Sequence, residues 1–203
     1  TYANLVGYTS NSSTVTLFVS RSSMPITAEM VDRVEQIQRD MTFPGMHVDI
    51  RHGKCHDVNA FYSPVTQTIM VCDETIEAYP MLVPAFVAHE MGHAMIDQLD
   101  LPITGSEEVA ADEISIIYLA RSGHLDDVWA AAVAYKEMTA PYHHYHYVPQ
   151  DDHPELNNRA WTFACMATGA EDASVVPCYQ KYQRALRNWT RLVVQHYREQ
   201  DEQ

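Results

Sequence analysis

Two short segments constrain this chain more than any others: HEMGH at residues 89–93 and GSEEVAAD at residues 105–112. The apolar run before His89 predicts a helix, on which His89 and His93 lie one turn apart on the same face. Two imidazoles placed in this way can bind one Zn²⁺, and Glu90 beside the first can act on a water bound there. Because such a pattern also arises by chance, its interpretation as a metal site depends on the second segment.

The second segment predicts another helix, which supplies further polar side chains. Thr104 and Ser106 are candidate N-caps, and acidic residues suit the first turn that follows. Glu108 can be a third metal ligand, and Asp112, one turn later, can accept a ring N–H from a ligand histidine. Two histidines, a glutamate and an open fourth position are typical of a catalytic zinc site. The alternative is a buried polar helix pair without metal, which would bury several polar groups unpaired at high cost.

Composition limits the classes of partner. The chain has 203 residues, 46% of them hydrophobic, which is enough for one domain with a sizeable core. Its net charge of −14 argues against nucleic acids and anionic membrane surfaces, and favours basic substrates only weakly because acidic surfaces usually serve solubility. The longest apolar run, residues 81–88, is far too short for membrane insertion. The sequence carries no signal for the oligomeric state.

The chain has four cysteines, which allow three pairings. The local pairing, Cys55–Cys72 and Cys165–Cys178, would close two short loops and contribute about 3 kcal/mol for each bond. Such bonds indicate an oxidising compartment, so we expect a secreted or periplasmic protein. The alternative is four reduced, buried thiols.

Strand signals lie in the first 75 residues and helix signals lie mainly after them. Thr27 is a candidate N-cap for an early helix that reaches Met41. We therefore expect one α+β domain over residues 1–203, with a strand-rich lobe at 1–75 and a helical lobe at 76–203 that carries the active site. The predicted strands are 14–20, 46–50 and 68–72, and the later helices are 81–99, 107–121, 126–138, 155–166 and 179–198.

The run Asn59-Ala60-Phe61-Tyr62 precedes Ser63-Pro64 and the strand at 68–72. Proline is tolerated at the edge of a sheet, where a backbone N–H need not be donated. An edge strand has free backbone groups that can pair with an extended peptide. A second unusual run, PYHHYHYVP at 141–149, predicts a loop, for which we favour the rim of the active site over a second metal site or a solvated loop.

The two metal-binding segments resemble those of the gluzincin metallopeptidases, of which thermolysin is the familiar case. The family pattern is HExxH followed by ExxxD on the next helix, and this chain matches it with His89, Glu90 and His93 and then with Glu108 and Asp112. The spacer between the two segments is shorter here than in thermolysin. The resemblance implies a small zincin-like domain with a mixed sheet, one catalytic Zn²⁺, and Glu90 as the general base of peptide hydrolysis.

The same resemblance implies roles for two further regions. Thermolysin has a very similar Asn-Ala-aromatic-aromatic run on its substrate strand, so Asn59, Ala60 and Phe61 are expected to bind substrate. Gluzincins stabilise the oxyanion with a late histidine that an aspartate orients, and His153 with Asp152 or Asp151 fits by order and context. A tyrosine of the 142–147 segment is the alternative for that role.

Most of the chain from Cys55 to Cys165 also resembles a bacterial family known as "putative metallopeptidases", with His153, Arg159 and Cys165 among the shared residues. That family implies a peptidase but no particular substrate. We expect an endopeptidase, because the Gly-x-Met-Glu-Asn element that holds a free amino terminus in related aminopeptidases is absent. The alternatives are an inactive binding or effector module that keeps the fold, and a zinc hydrolase of non-peptide amides.

Overall fold

The structure is a computed structural model that describes residues 26–139 and 156–201. It confirms the expected α+β class, with a small mixed sheet followed by a mostly helical C-terminal half. The predicted strand at 14–20, the 141–149 segment, Asp152 and His153 lie outside the described residues.

The described elements follow one another in a simple order. The strands are β1 (Asp49–Gly53), β2 (Ala60–Ser63) and β3 (Thr68–Cys72). A 3₁₀ turn at Pro80–Leu82 leads into the third helix. The helices are α1 (Ala28–Met41), α2 (Asp73–Ala78), α3 (Val83–Gln98), α4 (Glu107–Arg121), α5 (Leu125–Met138), α6 (Leu156–Glu171) and α7 (Val176–Asp201).

Helix α3 forms the centre of the packing. Thirteen of its sixteen residues are buried, so it is apolar on nearly every face. The sheet and the helices α1, α4 and α5 pack against it, and their buried side chains join in one hydrophobic cluster. A histidine or glutamate on such a helix is therefore held rigidly and largely shielded from water.

Strand β3 lies between the other two strands, parallel to β1 and antiparallel to β2. Among the described strands β2 is thus at an edge of the sheet, as the sequence predicts. The strand expected at 46–50 begins only at Asp49, because Met46 still belongs to a turn in which its N–H donates to the Phe43 carbonyl at 3.0 Å. Pairing of Asp49 with Thr68 then sets where β1 starts.

Two disulfide bonds, Cys55–Cys72 and Cys165–Cys178, have the local pairing. The first ties the loop before β2 to the end of β3, and the second joins α6 to α7. Within the described ranges, no helix combines the length and the apolar character that a membrane crossing requires.

Candidate metal centre

The candidate metal centre lies where α3 and α4 pack closely together. Gly92 allows this approach, because a Cβ at that position would lie only 3.0 Å from the Cα of Ala111. Ser106 begins α4 by accepting a hydrogen bond from the Val109 N–H, so that Glu108 is in the first turn. The two helices thereby bring Glu108 against the two histidines of α3.

Three side chains converge on one point between these helices. The Nε2 atoms of His89 and His93 are 3.1 Å apart, and each lies 3.2 Å from a carboxylate oxygen of Glu108. Ligands at about 2.0–2.1 Å from a tetrahedral zinc are separated from one another by about 3.3 Å. The spacing of His89, His93 and Glu108 therefore fits a single zinc ion.

The other ring nitrogen of each histidine faces a carboxylate. His89 Nδ1 lies 2.9 Å from Asp112 Oδ1, and His93 Nδ1 lies 2.7 Å from Glu107 Oε1. When both rings are neutral, each Nδ1–H can donate to its carboxylate, which leaves each Nε2 with a lone pair directed to the shared centre. Two lone pairs and a carboxylate that face one another repel unless a cation lies between them, so the chemistry of the donor set also fits a metal ion.

Arg159 of α6 completes the support of His89. Its Nη2 donates to Asp112 Oδ1 at 2.6 Å, its Nε donates to Asp112 Oδ2 at 3.1 Å, and Nη2 lies 3.3 Å from His89 Nδ1. The guanidinium also lies over the ring of Tyr135, 4.5 Å from its centroid. Burial works against an ionised Asp112, but Arg159 and His89 outweigh it and hold the pKa of that carboxyl below its usual range.

Glu90 lies beside the centre and is 5% exposed. Burial raises the pKa of its carboxyl, while His89, His93 and the backbone N–H of Tyr62 act in the opposite direction. Tyr62 donates that N–H to Glu90 Oε2 at 2.7 Å, which connects the candidate base directly to β2. A buried carboxylate with a raised pKa next to a metal centre is a suitable proton acceptor.

Carboxylates also control the protonation of His93 in the metal-free protein. Burial lowers its pKa, but Glu108, Glu90 and Glu107 together outweigh burial and raise the pKa to about 9. The metal-free centre therefore favours a cationic His93, which again shows that this cluster stabilises positive charge.

An open cleft of about 350 Å³ lies between β2 and the metal centre. Asn59, Ala60 and Phe61 line it on the sheet side, and Glu90, His93 and Glu108 line it on the helix side. The structure thus brings the sequence-predicted substrate strand and most of the candidate site into one cavity. His153 and Asp152 lie outside the described residues.

Sequence reasoning gave no role to Glu107, Tyr62 or Arg159. By sequence, Glu107 is only an acidic residue in the first turn of α4, although it contacts His93 in the structure. Arg159 was noted within the resemblance to the bacterial family, which was the one available signal. Tyr62 belongs to the substrate-strand motif, but its contact with Glu90 depends on how the sheet meets α3.

The fold and the site define a class: an α+β protein with a candidate metal centre of two histidines and one glutamate, and with a buried carboxylate beside it. The family described as "Putative metallopeptidase" matches residues 81–193, more than half of the chain, and the chain belongs to that family. The matched segment begins just before α3 and contains all the candidate ligands. No curated protein and no solved structure matches the chain.

Proposed function

We propose that this metallopeptidase-family protein is a zinc-dependent endopeptidase of the gluzincin type. The observation that carries the proposal is the convergence of His89, His93 and Glu108 at mutual distances of 3.1–3.2 Å beside the buried Glu90. The two disulfide bonds support secretion or a periplasmic location, because such bonds persist in oxidising compartments.

His89, His93 and Glu108 would hold one Zn²⁺, with Asp112 and Glu107 as carboxylate partners of the two rings. Zinc bound there would polarise the substrate carbonyl and lower the pKa of water, to about 7 in known cases. Glu90 takes the proton of the attacking water and then passes it to the leaving amine. The position of Glu90 suits both steps, because it is buried beside the proposed zinc ligands and its Oε2 is held by the Tyr62 N–H at 2.7 Å.

The geometry of β2 supports a peptide substrate. Cys72 N–H donates to the Asn59 carbonyl at 3.0 Å, and hydrogen-bonded pairs alternate along two antiparallel strands. The backbone N–H and C=O groups of Ala60 and Tyr62 therefore point away from β3, and Tyr62 uses its N–H to contact Glu90. An extended peptide could pair with this edge beside the metal, which is the role proposed for Asn59, Ala60 and Phe61. His153, oriented by Asp152, remains our proposal for the residue that stabilises the oxyanion.

The proposal is tested with a library of peptides blocked at both ends, incubated with zinc-loaded wild type or Glu90→Gln. We expect cuts by the wild type alone and a loss of about three orders of magnitude in the variant, because the change removes the general base. Zinc content measured by atomic emission should be unchanged, since Glu90 is not among the three proposed ligands.

Glu77→Gln is the matched control, because it removes the same charge at an exposed position on α2. It should cut the library at the wild-type rate. Equal cutting by Glu90→Gln and wild type would contradict the mechanism. Zinc-loaded wild type that cuts nothing would favour a binding module instead.

A further inference from the structure

The charged side chains that line the cleft beside the candidate metal centre are mainly acidic. Eleven described residues line it, and the charged types among them are four carboxylates and one histidine, without any lysine or arginine. A divalent ion at the centre would offset the charges of Glu90 and Glu108. The carboxylates of Asp97 and Glu107 would still leave the loaded cleft negative.

Asp97 is the better placed of these two to meet a substrate. Glu107 already accepts from His93 Nδ1 at 2.7 Å, whereas Asp97 is exposed and takes part in none of the ion pairs between described residues. The Tyr62 hydroxyl donates to Asp97 Oδ2 at 2.9 Å. Since Tyr62 belongs to β2, this bond holds the carboxylate next to the strand on which the peptide would lie.

The position of Asp97 along α3 indicates which substrate residue it would meet. It follows His93 by one helical turn and Glu90 by seven residues, or roughly 6 Å and 10 Å of helix axis. An extended peptide advances about 3.3 Å per residue, and the long stems of lysine and arginine add reach. Asp97 therefore lies within range of a basic side chain about one to three residues from the bond that is cut.

We propose that the cleft selects peptides with a lysine or arginine about one to three residues from the cut bond, and that Asp97 is the specificity-determining carboxylate. This inference rests on the proposed endopeptidase function and names its substrate class. The low-dielectric walls of a cleft focus the field of fixed carboxylates, so a cationic side chain gains both affinity and association rate. One partly exposed ion pair is worth about two- to five-fold in affinity.

The test uses pairs of internally quenched, doubly blocked peptides that carry lysine or the uncharged norleucine at each of three positions on either side of the cut. Zinc-loaded wild type should prefer lysine over norleucine at one of these positions by about two- to five-fold in kcat/KM. Asp97→Asn keeps a hydrogen-bond acceptor for Tyr62 but removes the charge, so the ratio of lysine to norleucine cutting should fall to about one. High salt should reduce the wild-type ratio in the same way.

Asp100→Asn is the control, because Asp100 is exposed and outside the cleft lining, and asparagine tolerates its positive φ of 50°. This variant should keep the lysine preference. Binding of the same peptides, followed by fluorescence anisotropy, separates the two proposals. Cutting without a lysine preference would overturn the charge selectivity alone. A lysine preference in binding without cutting would overturn the peptidase function alone, and neither preference nor cutting would overturn both.

Discussion

Arg159→Met would test the buried ion pair that supports His89. Arg159 is 6% exposed and Asp112 is 3% exposed, so little water reaches either group. The guanidinium makes two hydrogen bonds to the carboxylate, at 2.6 and 3.1 Å, and contacts the face of Tyr135. Methionine preserves much of the side-chain volume but removes the charge and every donor.

The expected magnitude follows from what remains around Asp112. Breaking a buried pair by removing one partner costs about 3–5 kcal/mol, because the other charge stays buried without compensation. Asp112 keeps His89 Nδ1 at 2.9 Å as a partner, which places the expected loss of unfolding free energy at the lower end, about 3 kcal/mol. Because Asp112 also orients His89, zinc affinity should fall by about 10- to 100-fold.

Both quantities can be measured on purified protein with its disulfides intact. Urea unfolding after treatment with a chelator gives the free energy of the metal-free form, and competition with a chelating dye gives the zinc affinity. Arg51→Met is the matched control, because Arg51 pairs with Asp49 at 2.9 Å while 60% exposed. A surface pair of this kind should cost less than about 1 kcal/mol and leave zinc affinity unchanged.

A double-mutant cycle with Asp112→Asn tests whether the loss of stability comes from a buried Asp112 charge left without its partner. If the cost arises from an uncompensated Asp112, then Arg159→Met should cost far less once that carboxylate is an amide. Additive costs, within about 0.5 kcal/mol, together with unchanged zinc affinity, would refute the argument.

Two further predictions concern helix packing and pH. Gly92→Ala should lower the unfolding free energy by about 1–3 kcal/mol, because the new Cβ would lie 3.0 Å from the Ala111 backbone. The change can be measured as a lower melting temperature. Gly105→Ala is the control and should have no such effect, because a Cβ there would have no atom within 4 Å. Zinc binding needs a neutral His93, whose pKa of about 9 in the metal-free form means that binding displaces a proton. Zinc affinity should therefore rise about ten-fold per pH unit up to about pH 9. Cationic His93 also stabilises the metal-free form, and this contribution to the unfolding free energy should be present below pH 6.5 and lost as the pH rises through 9. Equal zinc affinities at pH 7 and pH 8, measured by competition with a chelating dye, would contradict the displacement of a proton from His93.

Elements with local signals could be predicted from the sequence. Helix α4 has the predicted bounds, 107–121, because its N-cap Ser106 and its acidic first turn are adjacent in the chain. Thr27 likewise caps α1 by accepting from the Met30 N–H at 3.1 Å. Candidate ligands could be proposed for the same reason, since one helical turn relates His89 to His93 whatever the rest of the fold does.

Contacts between distant segments could not be predicted in this way. Arg159 and Asp112 are 47 residues apart, and neither residue type by itself indicates the other. Helix α2 was not predicted, and Glu74 within it accepts from the N–H groups of Cys55 and His56, which only the folded loop brings near. Strand β1 begins at Asp49 rather than at the predicted residue 46, because strand pairing rather than the local pattern determines its start.

The charges around the centre explain why these distant contacts matter. Glu90, Glu107, Glu108 and Asp112 surround two imidazoles, while Arg159 is the fixed cation among the described residues that contact them. With both imidazoles neutral, the group carries three uncompensated negative charges, which a poorly hydrated cluster cannot hold without cost. Protonation of His93 or Glu90 relieves part of this charge, as their raised pKa values indicate. A divalent cation would relieve more of it and leave Glu90 ionised, as its proposed role as general base requires.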